Sequence, residues 1–184
     1  MIWQMWRRKM LLSGYFAMYL TFHDNEDFWE ARFASLKVLA ESRVDVGLTS
    51  SASGRSRFLM AIHENGCPIM RIPARPVIEP ALRSEEAKAP MREAAMEAIS
   101  AALDGDESGV TVALENIGKA GVEAIHHYID GGVPPPNSPV TVSGGWIYNR
   151  VAKKGVLVSG KGFNLPLVNT GALRNDFDYE VTFG

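Results

Sequence analysis

A glycine- and proline-rich stretch at residues 131–139 most constrains how this chain folds. Its sequence, Gly-Gly-Val-Pro-Pro-Pro-Asn-Ser-Pro, excludes a helix or a central strand, because proline fixes its own φ and has no amide hydrogen to donate. Further glycines follow at Gly144, Gly145, Gly155, Gly160 and Gly162. We therefore expect an inserted loop over residues 131–166 that holds a hairpin with arms at 146–151 and 155–159.

The chain before this stretch has a mainly helical pattern. Apolar residues recur at three-to-four spacing over residues 25–41, 84–104 and 108–129, as in amphipathic helices, with Asn25 as the expected N-cap of the first. The predicted buried stripes are Trp29, Phe33, Leu36 and Leu39 or Ala40 in the first, Met91, Ala95, Met96, Ile99 and Leu103 in the second, and Val110, Leu114, Ile117, Gly121, Ile125 and Tyr128 in the third.

Glycines occur in two kinds of position in these helices, at their ends and in the interior of one of them. Gly66 closes a shorter helix expected over 57–65, and Gly131 stands at the C′ position of the third long helix. Gly118 and Gly121 lie inside that helix and weaken it by about 1 kcal/mol each relative to alanine. Their presence indicates that another element packs very close to them.

Alternation of apolar and polar residues predicts the strands. It occurs at 15–22, at 43–49 and at 174–183. In the last of these, Phe177, Tyr179, Val181 and Phe183 are expected to point inward, and Asp176, Asp178, Glu180 and Thr182 outward. The prolines in 69–77 make that segment an edge strand or an ordered loop. The predicted class is α+β: an antiparallel sheet of about four to five strands with two or three helices packed on one face, plus the long Gly/Pro-rich hairpin loop.

The predicted organisation is an N-terminal arm and strand at 1–24 and one domain at 25–184. The apolar run at 10–22 is too short for a bilayer span of about 20 residues, so we expect no membrane association. The net charge of −2 excludes a globally basic nucleic-acid binder. The single cysteine, Cys67, excludes an internal disulfide framework and a zinc site built on several cysteines.

No enzyme motif is present in the sequence. Residues 155–162 match G-x-x-x-x-G-K, but Gly162 stands where a phosphate-binding loop needs a Ser or Thr hydroxyl. His126 and His127 are adjacent and diverge by about 100° on a helix, and His63-Glu64 lacks a second histidine at zincin spacing. We therefore expect no catalytic residues, no metal and no cofactor.

A basic, aromatic-bearing segment is the one candidate for nucleic-acid contact. Trp146 and Tyr148 precede the cations of this segment, which are Arg150, Lys153, Lys154 and Lys161. Grooves that follow a nucleic-acid backbone combine cations with stacking aromatics. The segment is thus a candidate contact for DNA or an acidic partner, and a solvated hairpin explains the same residues.

Three short motifs, in a fixed order along the chain, indicate a more specific function. They are Ile-His-Glu-Asn-Gly at 62–66, Ile-Pro-Ala-Arg-Pro at 72–76 and Pro-Leu-Val-Asn-Thr-Gly-Ala-Leu-Arg-Asn at 166–175. Together with Pro-Ala-Leu at 80–82 and Ser-Pro-x-Thr at 138–141, they resemble the tail-completion, or virion-morphogenesis, proteins of long-tailed, Mu-like bacteriophages. The resemblance covers about residues 43–183, although Asn65 stands where that family often has an aromatic residue.

The resemblance implies a structural protein of the phage neck. Such a protein completes the tail or joins it to the head connector, as part of a six-fold ring of copies around the DNA channel. Its partners would be the tail tube or tail terminator, the head connector proteins and DNA that passes without sequence recognition. Assembly would take place in the host cytoplasm and the product would reside in the virion. A tail terminator or a head-side adaptor fits the same motifs.

The resemblance also points to particular residues. The candidate subunit or partner interface is Ile72, Pro73, Arg75, Pro76, Asn169, Thr170, Leu173 and Arg174. For Arg75 and Arg174 an intrachain salt bridge or cap is the alternative. The acids of the last strand, Asp176, Asp178 and Glu180, are expected to line the channel, where like charge repels passing DNA.

Overall fold

The computed structural model describes residues 26–149 and 152–184. In chain order the elements are α1 (Glu26–Glu41), β1 (Arg43–Gly47), α2 (Gly54–Asn65), a 3-10 turn (Pro68–Met70), α3 (Ile78–Arg83), α4 (Glu85–Asp104), α5 (Glu107–Asp130), α6 (Pro139–Ser143), β2 (Gly145–Asn149), β3 (Lys154–Val158), α7 (Ala172–Asn175) and β4 (Asp178–Thr182). The predicted N-terminal arm, its strand and the cap residue Asn25 lie outside the described residues.

The strands form two separate antiparallel pairs. β1 pairs with β4, so that Val46 lies opposite Tyr179, and β2 pairs with β3 in the predicted hairpin. The mixed helix-and-sheet class is confirmed, but the expected single sheet of four to five strands is not found among the described residues. A different helix packs against each pair: α5 packs on β1 and β4, and α6 contacts the β2–β3 hairpin.

Helix α5 is the centre of the fold. Its inward residues include Val110, Leu114 and Ile125, as the stripe predicted. A Cβ on Gly118 would overlap the ring of Tyr179, and one on Gly121 would lie 3.0 Å from both methyl carbons of Val46. The predicted close approach is therefore confirmed, and the element that makes it is the β1–β4 pair.

The predicted buried faces of α1 and α4 are wrong for most of their residues; Leu39 is the exception in α1, since it packs half-buried on a cluster formed by α4 and α5, and Met91 and Ala95 of α4 are half-buried. α4 instead buries a seam of small residues, Ala87, Ala94, Ala98 and Ala102, which allows α5 to approach closely. Its larger residues point outward: Met96, Ile99 and Leu103 are 62%, 45% and 55% exposed. In α1 the buried position is Ser35, whose hydroxyl donates to the Ala31 carbonyl, while Trp29, Phe33 and Leu36 are exposed. Helical periodicity in the sequence predicts where an apolar stripe lies, but it does not predict whether another element of the same chain packs against that stripe.

Several element ends also differ from the expectation. The left-handed glycine after α5 is Gly132, with φ +89°, and Gly131 is right-handed. The last strand starts at Asp178, because residues 172–175 form the turn of α7. Residues 69–77 contain only the end of the 3-10 turn and an isolated bridge from Ile72 to Cys67, and no strand, so the ordered loop is the correct alternative for that segment. Pro139 opens α6, a position that tolerates proline because its missing amide hydrogen has no helical partner there.

Two apolar clusters hold the elements together. The larger one joins α2, α3 and the end of α5 to the last part of the chain, through Met60, Val77, Ala81, Ile125, Ile129, Val133, Leu173 and Phe177. The smaller one lies between α4 and α5 and contains Ala102, Val110 and Leu114. The larger cluster places the three motif segments next to one another.

Candidate interaction site

The first two motifs form one locked unit around Gly66. This residue ends α2 with φ +72°, and a Cβ there would lie 2.8 Å from the backbone nitrogen of Ala74 and 3.0 Å from the carbonyl oxygen of Ile72. Cys67 and Ile72 exchange backbone hydrogen bonds of 2.8 and 3.0 Å. The proline segment therefore runs directly over the end of α2, which only a glycine permits.

Gly66→Ala should destabilise the protein by about 2 kcal/mol, because it adds left-handed strain and a clash with the backbone of the proline segment. Gly162→Ala is the matched control, since Gly162 has φ +80° with no atom within 4 Å of the added Cβ. The control carries the strain alone and should cost about 1 kcal/mol. Urea unfolding measures both variants, and equal losses would contradict the locked unit.

Glu64 and His63 complete this unit. The Glu64 carboxylate accepts hydrogen bonds from the amides of Val77, at 3.0 Å, and Ile78, at 3.4 Å, and so holds the start of α3. The Nδ1 atom of His63 is buried and has no hydrogen-bond partner among the described residues. Burial, and secondarily the charge of Arg75, lowers the pKa of His63.

The lowered pKa of His63 gives a pH dependence. Below about pH 6.5, the usual pKa of histidine, His63 binds a proton more readily in the unfolded chain than in the folded one. The free energy of unfolding is therefore highest above that pH and decreases as the pH is lowered. His63→Gln should flatten the stability profile between about pH 7 and 5, as measured by urea unfolding, and His127→Gln, on an exposed residue, serves as control. A slope unchanged in His63→Gln would contradict this assignment.

Arg75 fastens the second motif to the proline-rich loop. The residue is 7% exposed, and its guanidinium donates from Nε to the Pro135 carbonyl at 2.8 Å and from Nη2 to the Pro136 carbonyl at 3.1 Å. The backbone nitrogen of Arg75 also donates to the His63 carbonyl. Arg75 therefore makes contacts within its own chain, as the alternative prediction allowed. Its partners are backbone carbonyls and not the carboxylate of a salt bridge.

The third motif is tied to the end of α5. The Arg174 guanidinium forms a two-pronged ion pair with Asp130, at 2.8 and 2.6 Å, which lowers the pKa of Asp130 and raises that of Arg174. The His126 ring nitrogen lies 2.8 Å from the Arg174 carbonyl. Leu173 is buried in the larger cluster, so this member of the predicted interface lies in the core.

The side chain of Lys161 makes contacts within the loop that follows the hairpin. Its Nζ donates to the carbonyls of Leu165 and Val168 and lies 4.8 Å from the centre of the Phe163 ring. Burial, followed by the charge of Arg75, lowers the pKa of Lys161. This ammonium group is thus engaged within the chain, whereas Lys153 and Lys154 are exposed at the hairpin turn. Arg150 lies outside the described residues.

A cleft of about 690 Å³ lies between α2, the base of the hairpin and the third motif. Its walls include Ser53, His63, Ile147, Lys161, Thr170 and Leu173. Among the predicted interface residues, Pro73, Pro76, Asn169 and Thr170 are exposed and Ile72 is half-buried. The structure therefore brings the third motif to a groove but leaves the exposed prolines of the second motif outside its walls.

The three predicted channel acids occupy different environments. Asp178 and Glu180 are exposed on the outer face of β4, where Glu180 lies opposite Asp45 of β1. Asp176 precedes the strand and accepts hydrogen bonds from the amide and hydroxyl of Ser53. Bonds from the hydroxyls of Ser56 and Ser53 lower the pKa of Asp176. Sequence reasoning missed this contact because the two segments lie 123 residues apart.

Comparisons of the chain with protein-family models, with curated proteins and with solved structures find no match. None of the helices within 26–149 and 152–184 is long and apolar enough to cross a membrane. The same residues hold no group of three His, Cys, Asp or Glu side chains arranged to bind a metal ion. Function is therefore inferred from the geometry of this site and from the motif resemblance.

Proposed function

We propose that this chain is a structural virion protein of the phage neck, which completes the tail or joins it to the head connector as one subunit of a ring. The observation that carries the proposal is that the first two motifs are fastened to each other and to the segments around them through backbone groups. Glu64, Gly66 and Arg75 all act in this way. Such fastening keeps the motif segments in fixed positions, which suits an assembly scaffold.

The held loops are suited to docking. The second motif presents Pro73 and Pro76, and the third presents Asn169 and Thr170, on backbone that the chain has already ordered. A surface that is rigid before its partner arrives loses little conformational entropy on binding. These four residues are the proposed contacts with neighbouring rings or subunits, and the ring is proposed to have six copies.

The outer face of β4 is proposed to line the DNA channel. Asp178 and Glu180 are exposed there and no cation lies opposite either of them in the register with β1. Negative charge along a channel wall repels the DNA backbone and prevents it from adhering. Asp176 is left out of this proposal, because its carboxylate is held by Ser53.

A genetic experiment tests the proposed function. In the phage or prophage that encodes this sequence, a nonsense codon in place of Arg43 should give filled heads and free tails that do not join, and plasmid-borne chain should restore infectious particles. Mass spectrometry of purified particles should detect the chain. Infectious particles that lack the chain would refute the proposal. A tail terminator would instead give tails of abnormal length, and a head-side adaptor would give heads that lose DNA.

A nucleic-acid-binding module is the second candidate, favoured by the two exposed lysines of the hairpin turn beside two exposed aromatics. Trp146 and Tyr148 are 74% and 67% exposed. Salt-dependent binding of bare DNA that is lost in Lys153→Ala with Lys154→Ala would support this candidate. The engagement of Lys161 with carbonyls reduces the cationic surface on which that candidate depends.

A further inference from the structure

The β2–β3 hairpin presents an apolar face to solvent. The register places Trp146 opposite Leu157 and Tyr148 opposite Gly155, so these four residues share one face. Trp146, Tyr148 and Leu157 are 74%, 67% and 64% exposed, and we call them the hairpin face. On the opposite face, Ile147 and Val158 border the cleft.

Packing on α6 leaves one face of this hairpin uncovered by the other described residues. Two-stranded hairpins are at best marginally stable alone, and this one has three large apolar side chains directed away from the described part of its own chain. The three side chains expose about 450 Å² together, on the scale of the largest apolar patch of a typical monomer. Patches of this size are often functional contact surfaces.

A second exposed apolar surface lies on α4. Met96, Ile99 and Leu103 are 62%, 45% and 55% exposed, and their three- and four-residue spacing places them on one face of the helix; we call these three residues the helix surface. It faces away from the buried alanine seam of α4. The three side chains expose about 300 Å², the lower end of the range for the largest apolar patch of a typical monomer.

The charges around the two surfaces are complementary. Helix α4 contains five acidic and two basic residues, whereas residues 145–158 contain three basic residues and no acid. Glu93 and Glu97 are exposed on α4 and Lys153 and Lys154 at the hairpin turn. Opposite charge flanking two apolar surfaces steers their encounter and fixes their orientation.

We propose that the hairpin face of one copy packs on the helix surface of a second copy of this chain. The two surfaces differ, so the contact is head-to-tail, and repeated contacts of this kind generate a closed ring when the rotation closes. The hairpin face alone supplies about half of the roughly 800 Å² that each side of a standard stable interface buries. The inference rests on the proposed ring and names the contact that forms it.

Sedimentation velocity on the purified chain tests the contact. Trp146→Glu and Leu103→Glu should each weaken self-association by about 30-fold or more, as expected of central interface residues. Phe58→Glu is the matched control, since Phe58 is 66% exposed on α2 and belongs to neither surface. All these side chains are exposed, so the unfolding transitions of the variants should coincide with that of the parent.

Mixing the two defective variants gives the decisive result. The Trp146→Glu chain keeps its helix surface and the Leu103→Glu chain keeps its hairpin face, so a one-to-one mixture should form heterodimers and nothing larger. Charge exchange gives a second readout: Lys153→Glu with Lys154→Glu should weaken association, and Glu93→Lys with Glu97→Lys on the other chain should restore it.

Three outcomes would overturn the inference. They are a parent chain that stays monomeric up to about 1 mM (the weak limit of measurable affinity), an oligomer that Leu103→Glu leaves intact, and loss of DNA binding in Trp146→Glu with unchanged self-association. The last outcome would assign the hairpin to nucleic acid. A neck protein whose copies associate through other surfaces would fail this test and still pass the genetic one, so the two failures are distinguishable.

Discussion

Gly118→Ala is expected to destabilise the protein by about 3 kcal/mol, although alanine is the better helix former by about 1 kcal/mol. The added methyl would overlap three atoms at the base of the Tyr179 side chain, its Cβ among them at 2.9 Å. The Cβ atom cannot move away without the strand backbone, and the two ring atoms can do so only by a rotation about the Cα–Cβ bond that takes the ring out of its packed position. Either the Tyr179 ring leaves its place or α5 separates from the β1–β4 pair.

Gly54→Ala is the control for this change. Gly54 opens α2 and has no atom within 4 Å of an added Cβ, so its substitution should be neutral or stabilising by up to about 1 kcal/mol. In a Tyr179→Ala background the two ring atoms are removed and only the Cβ contact at 2.9 Å remains, so Gly118→Ala should then cost much less stability than it does in the parent. Urea unfolding of the four chains measures the coupling. A Gly118→Ala variant as stable as the parent would contradict the close packing.

The second large effect is expected at Arg75. Arg75→Ala should cost about 3 kcal/mol of stability, because it removes two hydrogen bonds from a charged donor and the packing of a buried stem. Arg75→Lys should retain part of that stability, since an ammonium group cannot donate in the planar, forked geometry of a guanidinium. The expected structural consequence is release of the loop that contains Pro135 and Pro136.

Arg174→Ala provides the comparison, since the sequence alone gave no reason to treat the two arginines differently. The Arg174–Asp130 pair is partly exposed, at 30% and 49% of the side chains, and exposed ion pairs contribute about 1 kcal/mol or less. Thermal unfolding of the three variants ranks them. Equal losses for Arg75→Ala and Arg174→Ala would contradict the buried role of Arg75. Increased proteolysis near residue 136 in Arg75→Ala alone would support it.

Part of the candidate site was indicated by the sequence motifs. Helix-end chemistry indicated Gly66, and the family resemblance pointed to Arg75 and Arg174, with an intrachain role open for both arginines. Neither revealed Glu64 as the cap of α3 or Asp130 as the partner of Arg174. The only signal for Asp130 was its place at the end of α5, where its charge opposes the helix dipole. Such a charge is more stable with a cation beside it.

The sequence by itself determined the features that depend on neighbours along the chain. These are the mixed helix-and-sheet class, the positions of α4 and α5, the hairpin and the alternation of β4, because caps, helical periodicity and glycine placement act over a few residues. Only the tertiary structure decided which helix faces are covered, how the strands pair and what Arg75 and Lys161 bind. Arg75 meets Pro135 across 60 residues. Contacts over such separations depend on how whole elements pack, which no local pattern encodes.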